Sequence, residues 1–414
     1  MQLNEEIMTL PEGTLSVERR VAEFRENHPD SVLIRLDQDL MNMPLPPTVT
    51  AGMQEAVLEV SRPDGIHLSS PWSGYESLKH AIARHLAERG AKVLERDVFI
   101  TSGLESAHAC LSNLFGPANS VLLPDPGERS LWTLHRCAGR NLSFSRALPE
   151  NRFRPEPPAV RGADLVFLSS PSTVTGVAMD RLTLQKWVDW ANENDCILFF
   201  DASLAEYVRS EDCPRSIYEL EGAEHCAVEL FSFEKGYGVT ELKIAYVIIP
   251  STLCREGKYL RDLWCARQPA TATPPSYVMQ HAAELLFSEE ARAETEKLLY
   301  RIQKVGRLLS EGLSAAGIPH VGAADSPFLW AQCPRGMNSW QCFDTLLDRE
   351  RLVVTPGSLF GYSGERFVRL TAFGLPEEAV QTTVRLCELF SEPPAKTEAE
   401  LAKEQEKMLF SDQA

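Results

Sequence analysis

Lys235 and Asp201 are the residues whose types and spacing best suit them to chemistry. Lys235 closes the segment Ala227-Val-Glu-Leu-Phe-Ser-Phe-Glu-Lys235 and is followed at once by Gly236-Tyr-Gly238. A β-branched and aromatic run stops there, with Ser232 three residues before the lysine. A second apolar run, Cys196-Ile-Leu-Phe-Phe200, ends on Asp201, 34 residues upstream. An amine at one strand end and an acid at another is what a pyridine-aldehyde cofactor requires. The amine forms a Schiff base with the aldehyde, and the acid keeps the pyridine nitrogen protonated so that the ring can accept electrons. Alone, a lysine after a strand is a solvated charge and an aspartate there is a helix cap. Their joint placement points to the cofactor.

These two ends need a scaffold that brings them together. Short apolar runs at 98–101, 121–123, 165–168, 197–200, 227–231 and 244–249 alternate with helical stretches. Continuous apolar runs of this kind predict an α/β fold with a mostly parallel sheet covered on both faces. In such sheets ligands bind beyond the carboxyl ends of the strands. Gly103, residues 170–176, Asp201 and the segment from Ser232 to Lys235 all fall at those ends. Helical spacing marks 16–28, 75–88, 289–316 and 376–391, and strand-like segments mark 327–332, 352–355 and 367–371. The organisation expected is an N-terminal arm and part of a small domain over 1–48, and a large cofactor-binding domain over 49–288. A smaller α+β domain follows over 289–393, then a charged tail over 394–414.

The 414 residues are 44% hydrophobic and 24% charged, with a net charge of −17. Such an acidic surface argues against nucleic acid and anionic membranes as partners. No stretch reaches the roughly 18 consecutive apolar residues of a membrane span. The start, Met1-Gln-Leu-Asn-Glu-Glu, lacks a basic and then apolar leader. Ten cysteines are scattered without a C-x-x-C pair, which predicts reduced thiols in a cytoplasmic protein and no metal site.

Collinear blocks make the chain resemble the class I/II aminotransferases of fold-type I, and within them the LL-diaminopimelate aminotransferases. They are Asp97-Val-Phe-Ile-Thr-Ser-Gly103 with Leu114-Phe-Gly116, Ser169-Ser-Pro-Ser-Thr-Val-Thr-Gly176 and Phe200-Asp-Ala-Ser-Leu-Ala-Glu-Tyr207. Pro214-Arg-Ser-Ile-Tyr-Glu-Leu220, Phe231-Ser-Phe-Glu-Lys235, Val353-Val-Thr-Pro-Gly-Ser-Leu-Phe-Gly361 and Phe367-Val-Arg-Leu-Thr-Ala-Phe-Gly374 complete the set. The resemblance implies a seven-stranded, mostly parallel sheet with helices on both faces, a small α+β domain, a homodimer and pyridoxal 5′-phosphate as cofactor. It implies an enzyme of amino-acid metabolism in which Lys235 binds the cofactor and moves the proton while Asp201 pairs with the ring nitrogen. Ser232 and the backbone N–H groups after Gly103, beginning with Leu104, would hold the phosphate at a helix start. Arg369 would grip the substrate α-carboxylate with its planar fork.

Several positions depart from the family pattern. Thr173 stands at the asparagine that binds the ring 3′-oxygen, and Leu204 at the tyrosine that shares it. Glu128 replaces the aromatic that stacks on the ring. Glu105 replaces the phosphate-loop lysine, and Lys243 the phosphate-binding arginine. Ser69 stands at the tyrosine that crosses the dimer, Asp37-Gln-Asp39 at a G-x-G near the substrate, and Glu234 at a serine. Lost hydrogen bonds and stacking amount to ~3–6 kcal/mol of cofactor binding, and a carboxylate 4 Å from a phosphate costs on the order of 4 kcal/mol at an effective dielectric near 20. Two expectations follow. Either the acids at 37, 39, 105, 128 and 234 receive a cationic α-amino acid for transamination, lyase, cyclase or replacement chemistry, or the chain is a degenerate relative with weak or no cofactor binding and a binding or structural role.

Overall fold

The computed structural model describes residue 13 and residues 15–40, 44–65, 70–160, 162–374 and 376–391. Ser69 and the expected tail over 394–414 lie outside the described residues.

The centre is a seven-stranded sheet. Its strands are Val98–Thr101 (β1), Val121–Asp125 (β2), Leu142–Arg146 (β3), Leu165–Ser169 (β4), Ile197–Asp201 (β5), Ala227–Ser232 (β6) and Ala245–Ile248 (β7). They lie in the order β1-β7-β6-β5-β4-β2-β3. β7 is antiparallel to both neighbours, and the other pairings are parallel. Successive strand side chains point to opposite faces, and both faces are dry. Ile100, Leu122, Val166, Leu168, Leu198 and Phe200 pack with Leu78, Ile82, Leu184 and Trp187 on one side. Phe99, Val121, Leu123, Phe167, Phe199 and Leu230 pack with Ala107, Leu111 and Trp264 on the other. The sequence reading missed β3. Leu142 and Phe144 alternate there with Ser143, Ser145 and Arg146 on a half-exposed edge strand, so no continuous apolar run marks it.

A second, four-stranded antiparallel sheet is built from His320–Gly322 (β8), Phe328–Gln332 (β9), Thr355–Pro356 (β10) and Phe367–Thr371 (β11), in the order β8-β9-β11-β10. The chain's two ends meet beside it, where Ile34 and Arg35 pair in parallel with Leu352 and Val353. The helices expected at 16–28, 75–88, 289–316 and 376–391 form as Leu15–Asn27, Glu76–Ala87, Glu289–Ala315 and Pro376–Ser391.

A buried polar knot anchors the short helix Phe233–Tyr237, which carries Lys235. The Tyr237 hydroxyl donates to the Glu206 carboxylate at 3.1 Å, and Arg89 donates to both Glu206 oxygens at 2.8 and 2.6 Å. His85 lies 3.1 Å from the same carboxylate. Burial pushes the Glu206 carboxyl upward, but His85 and Arg89 overcome that and hold it well below the usual carboxylate range. A depressed carboxyl contributes stability that is present above its ordinary titration range and is lost as the pH falls through the folded value. Glu206→Ala, which strands Arg89 and His85, is therefore expected to cost about 3–5 kcal/mol in urea unfolding at pH 7. The gap between variant and parent should close as the pH is lowered below about 4.

Candidate active site

Strand register assembles the site. Ala245, at the start of β7, pairs with Thr101 on one side and Ser232 on the other. The segments beginning at Gly103 and Ser232, and Lys243 two residues ahead of Ala245, are thereby brought to one level. Ser169 pairs with Asp201 in the parallel register of β4 and β5. Local chemistry finishes the turns. Gly103 has φ +86 at the head of helix Leu104–Ser112, a left-handed conformation that an L side chain resists. The Ser232 hydroxyl accepts from the Lys235 N–H at 3.3 Å and caps the helix of the lysine.

Two cavities meet there. One, of about 240 Å³, has Lys235 and Asp201 in its wall with Glu105, His108, Glu128 and Phe167. The other, of about 270 Å³, is bounded by Asp39, Glu105, Ser232, Glu234, Lys243 and Arg369. Leu104, Glu105, Glu128, Thr173 and Lys235 line both. Apart from Asp37, Leu204 and Ser69, the site residues expected from sequence line one crevice, with Gly103 immediately before Leu104 in its wall. Leu204 instead lies in the apolar core beneath the small sheet, and Asp37 is taken by Arg35 through contacts of 2.7 Å at each oxygen. His108 is the residue that sequence reasoning missed. Its only signal was the i, i+3 spacing from Glu105 that puts both on one helix face.

The cations of the crevice are already paired. Lys235 Nζ lies 3.6 Å from a Glu128 oxygen. Lys243 Nζ pairs with Glu234, whose carboxylate is buried while the lysine stem is largely exposed. Arg369 is buried between the rings of Phe328 and Phe360, donates Nη1 to the Thr173 carbonyl at 3.0 Å, and pairs Nη2 with Asp39. The acids at 39, 128 and 234 thus meet the chain's own cations, an arrangement that a linear reading left open. Asp201 accepts from the Ser203 N–H at 2.8 Å, which fixes its carboxyl at the cavity wall.

Burial pushes the Lys235 amine down, but Glu128, Asp201, Asp39 and Glu105 outweigh it and hold the amine above its ordinary value. Burial likewise pushes Glu128 up, and Lys235, Thr173 and Arg369 together outweigh it, leaving that carboxyl below its usual range. For His108, burial dominates and lowers the imidazole, with Lys235 acting in the same sense against Asp201.

The sequence model of the family described as aminotransferase class I and II matches residues 36–385. The chain belongs to that family. It is 32% identical over 401 residues to LL-diaminopimelate aminotransferase of Lachnospira eligens, spanning 93% of this chain and 99% of that protein. It is 32% identical over 404 residues to the protein of the same name from Bacteroides fragilis, spanning 93% and 98%. Among solved structures it superposes on L,L-diaminopimelate aminotransferase from Chlamydomonas reinhardtii with a TM-score of 0.89 at 26% identity, covering 94% of this chain and 99% of that one. An aspartate aminotransferase double mutant of Thermus thermophilus shares the fold, with a TM-score of 0.82 at 20% identity and coverage of 94% and 100%.

Aminotransferases of this family are enzymes that use pyridoxal 5′-phosphate. At the ring end the crevice suits that group, because Lys235 and Asp201 share one largely apolar cavity. At the phosphate end it does not. A Cβ built on Gly103 would lie 3.5 Å from a Glu105 carboxylate oxygen and 4.0 Å from one of Glu234, and Lys243 is engaged by Glu234. As a set, the residues do not fit the phosphorylated cofactor.

An amine attacks a carbonyl only when neutral. Removing the Glu128 charge lowers the Lys235 pKa and raises its neutral fraction. Glu128→Gln should therefore trap an aromatic aldehyde on Lys235 on the order of tenfold faster at pH 7.5, measured by borohydride reduction and peptide mass. The difference should shrink as the pH rises through the raised value of the parent amine, above which both amines are neutral.

Proposed function

We propose that the chain is an aminotransferase-family enzyme whose substrate is an α-amino acid bearing a second positive charge. Its reaction is transamination or a related conversion at the amino-bearing carbon. The observation that carries this is the charge balance of the crevice. Across the two cavities the carboxylates of Asp39, Glu105, Glu128, Asp201 and Glu234 face only Lys235, Lys243 and Arg369 as cations. An acidic cleft with low-dielectric walls concentrates cations. Lys235 is the amine on which chemistry centres, with Asp201 as the fixed negative charge across the cavity. Arg369 offers the fork for the substrate α-carboxylate once Asp39, whose side chain is 58% exposed, swings away. The released Asp39 and Glu105 then face the substrate's second cation. Two similar proteins are named for LL-diaminopimelate, a compound of this class. The exposed Val57 and Leu58 on helix Pro47–Ser61 support a homodimer. Among the described residues the cysteines form no disulfide, which supports a cytoplasmic setting, and no helix is long and apolar enough to cross a membrane.

The Lys235–Glu128 pair favours a second reading, a degenerate relative that binds a cationic ligand without turning it over. Titration with pyridoxal 5′-phosphate separates the two. The enzyme reading expects an absorbance band at about 400–430 nm that appears at millimolar cofactor, is abolished by Lys235→Ala, and is perturbed by diaminopimelate, ornithine or arginine but not by glutamate. Should saturating cofactor give no band, the degenerate reading stands.

A further inference from the structure

We infer that the phosphate-holding end of this crevice has been converted into one that repels phosphate, so that the site takes ligands without an anionic arm. The inference rests on the reading of Lys235 and Asp201 as a ring site only in deciding which end of the crevice is concerned. Two features of that end agree. First, helix Leu104–Ser112 starts there behind Gly103, and a helix start is an anion site by virtue of its unpaired N–H groups and dipole. Here the chain supplies the anions itself, because Glu105 and Glu234 both bring carboxylate oxygens to within 4.0 Å of the position of a Gly103 Cβ. Second, Glu234 is 4% exposed, and a buried carboxylate without a cation is costly. Lys243, the cation of this end, is bound to it, so its charge is already offset before any external anion arrives.

The same logic extends along the crevice. Glu234 on Lys243 stands where a phosphate would meet its cation, and Asp39 on Arg369 stands where a substrate carboxylate would. Each built-in carboxylate competes with an external anion for the same partner. A phosphate dianion entering this end meets two negative charges and no free cation among the residues that line it. A ligand that is neutral or cationic there meets no such barrier.

Binding calorimetry with pyridoxine 5′-phosphate, pyridoxine and inorganic phosphate tests this without calling on Lys235, since none carries an aldehyde. The parent protein is expected to bind pyridoxine 5′-phosphate no more tightly than pyridoxine, and to bind inorganic phosphate only above millimolar concentration. Glu105→Lys with Glu234→Ser should tighten pyridoxine 5′-phosphate by about 100-fold and leave pyridoxine within about threefold. The isosteric Glu234→Gln alone should give about tenfold, and it keeps the test sound if the double variant melts early. The inference is overturned if the parent prefers the phosphorylated compound by tenfold or more, or if neither variant gains. Tight phosphate binding by the double variant with no Lys235-dependent band on adding pyridoxal 5′-phosphate would uphold this inference and sink the enzymatic reading.

Discussion

The molecule depends on a register. Ala245 is hydrogen-bonded into the sheet between Thr101 and Ser232, and Asp201 sits level with Ser169. Slipping any of these strands by one residue would turn its side chains to the opposite face, and both faces are packed with large apolar groups. The core on either side therefore holds the strand ends at one level. Leu104, Glu105, Glu128, Thr173, Asp201, Ser232, Lys235 and Lys243 lie within a few residues of those ends, while Arg369 comes from the small sheet. The crevice is a consequence of packing far from it, and the Glu206 knot under the short helix of Lys235 extends the same fixation to the lysine itself.

On this geometry the acids and cations of the crevice are set against one another. A crevice of this shape ordinarily gathers cations to meet anionic groups of cofactor and substrate, as the family resemblance implies. In this chain Glu128, Glu234 and Asp39 meet Lys235, Lys243 and Arg369 instead. The shape of the family is retained while the electrostatics are largely self-satisfied. The two cavities keep room for a ligand, but one whose charge complements an acidic wall. Family membership and site chemistry thus carry different information. The first follows from a core that buries the same surfaces, and the second from a few side chains at the strand ends.

Much of the fold was legible along the chain because buried parallel strands leave an uninterrupted apolar run. Six of the seven large-sheet strands announce themselves in this way, and β3 does not because its edge position permits alternation with serine. The four helices bounded from the sequence, at 16–28, 75–88, 289–316 and 376–391, were legible to within a residue or two because their apolar faces repeat at helical spacing. Of the site, Lys235, Asp201, Ser232 and Arg369 could be read from type and position. The pairing of acids with cations could not, since Asp39 and Arg369 are 330 residues apart, and Glu128 precedes helix Arg129–Cys137 while Lys235 sits on helix Phe233–Tyr237. His108 carried no sequence cue beyond its place on the helix.

The amino-acid order by itself determined which segments become strands and helices, that they form a mostly parallel sheet, and that a lysine and an aspartate end two of its strands. These follow from local periodicity and from the burial that apolar runs demand. Tertiary structure alone decided which charge neutralises which. Coulombic interaction depends on separation in space and on the depth of burial, and neither is written in the spacing of residues along the chain.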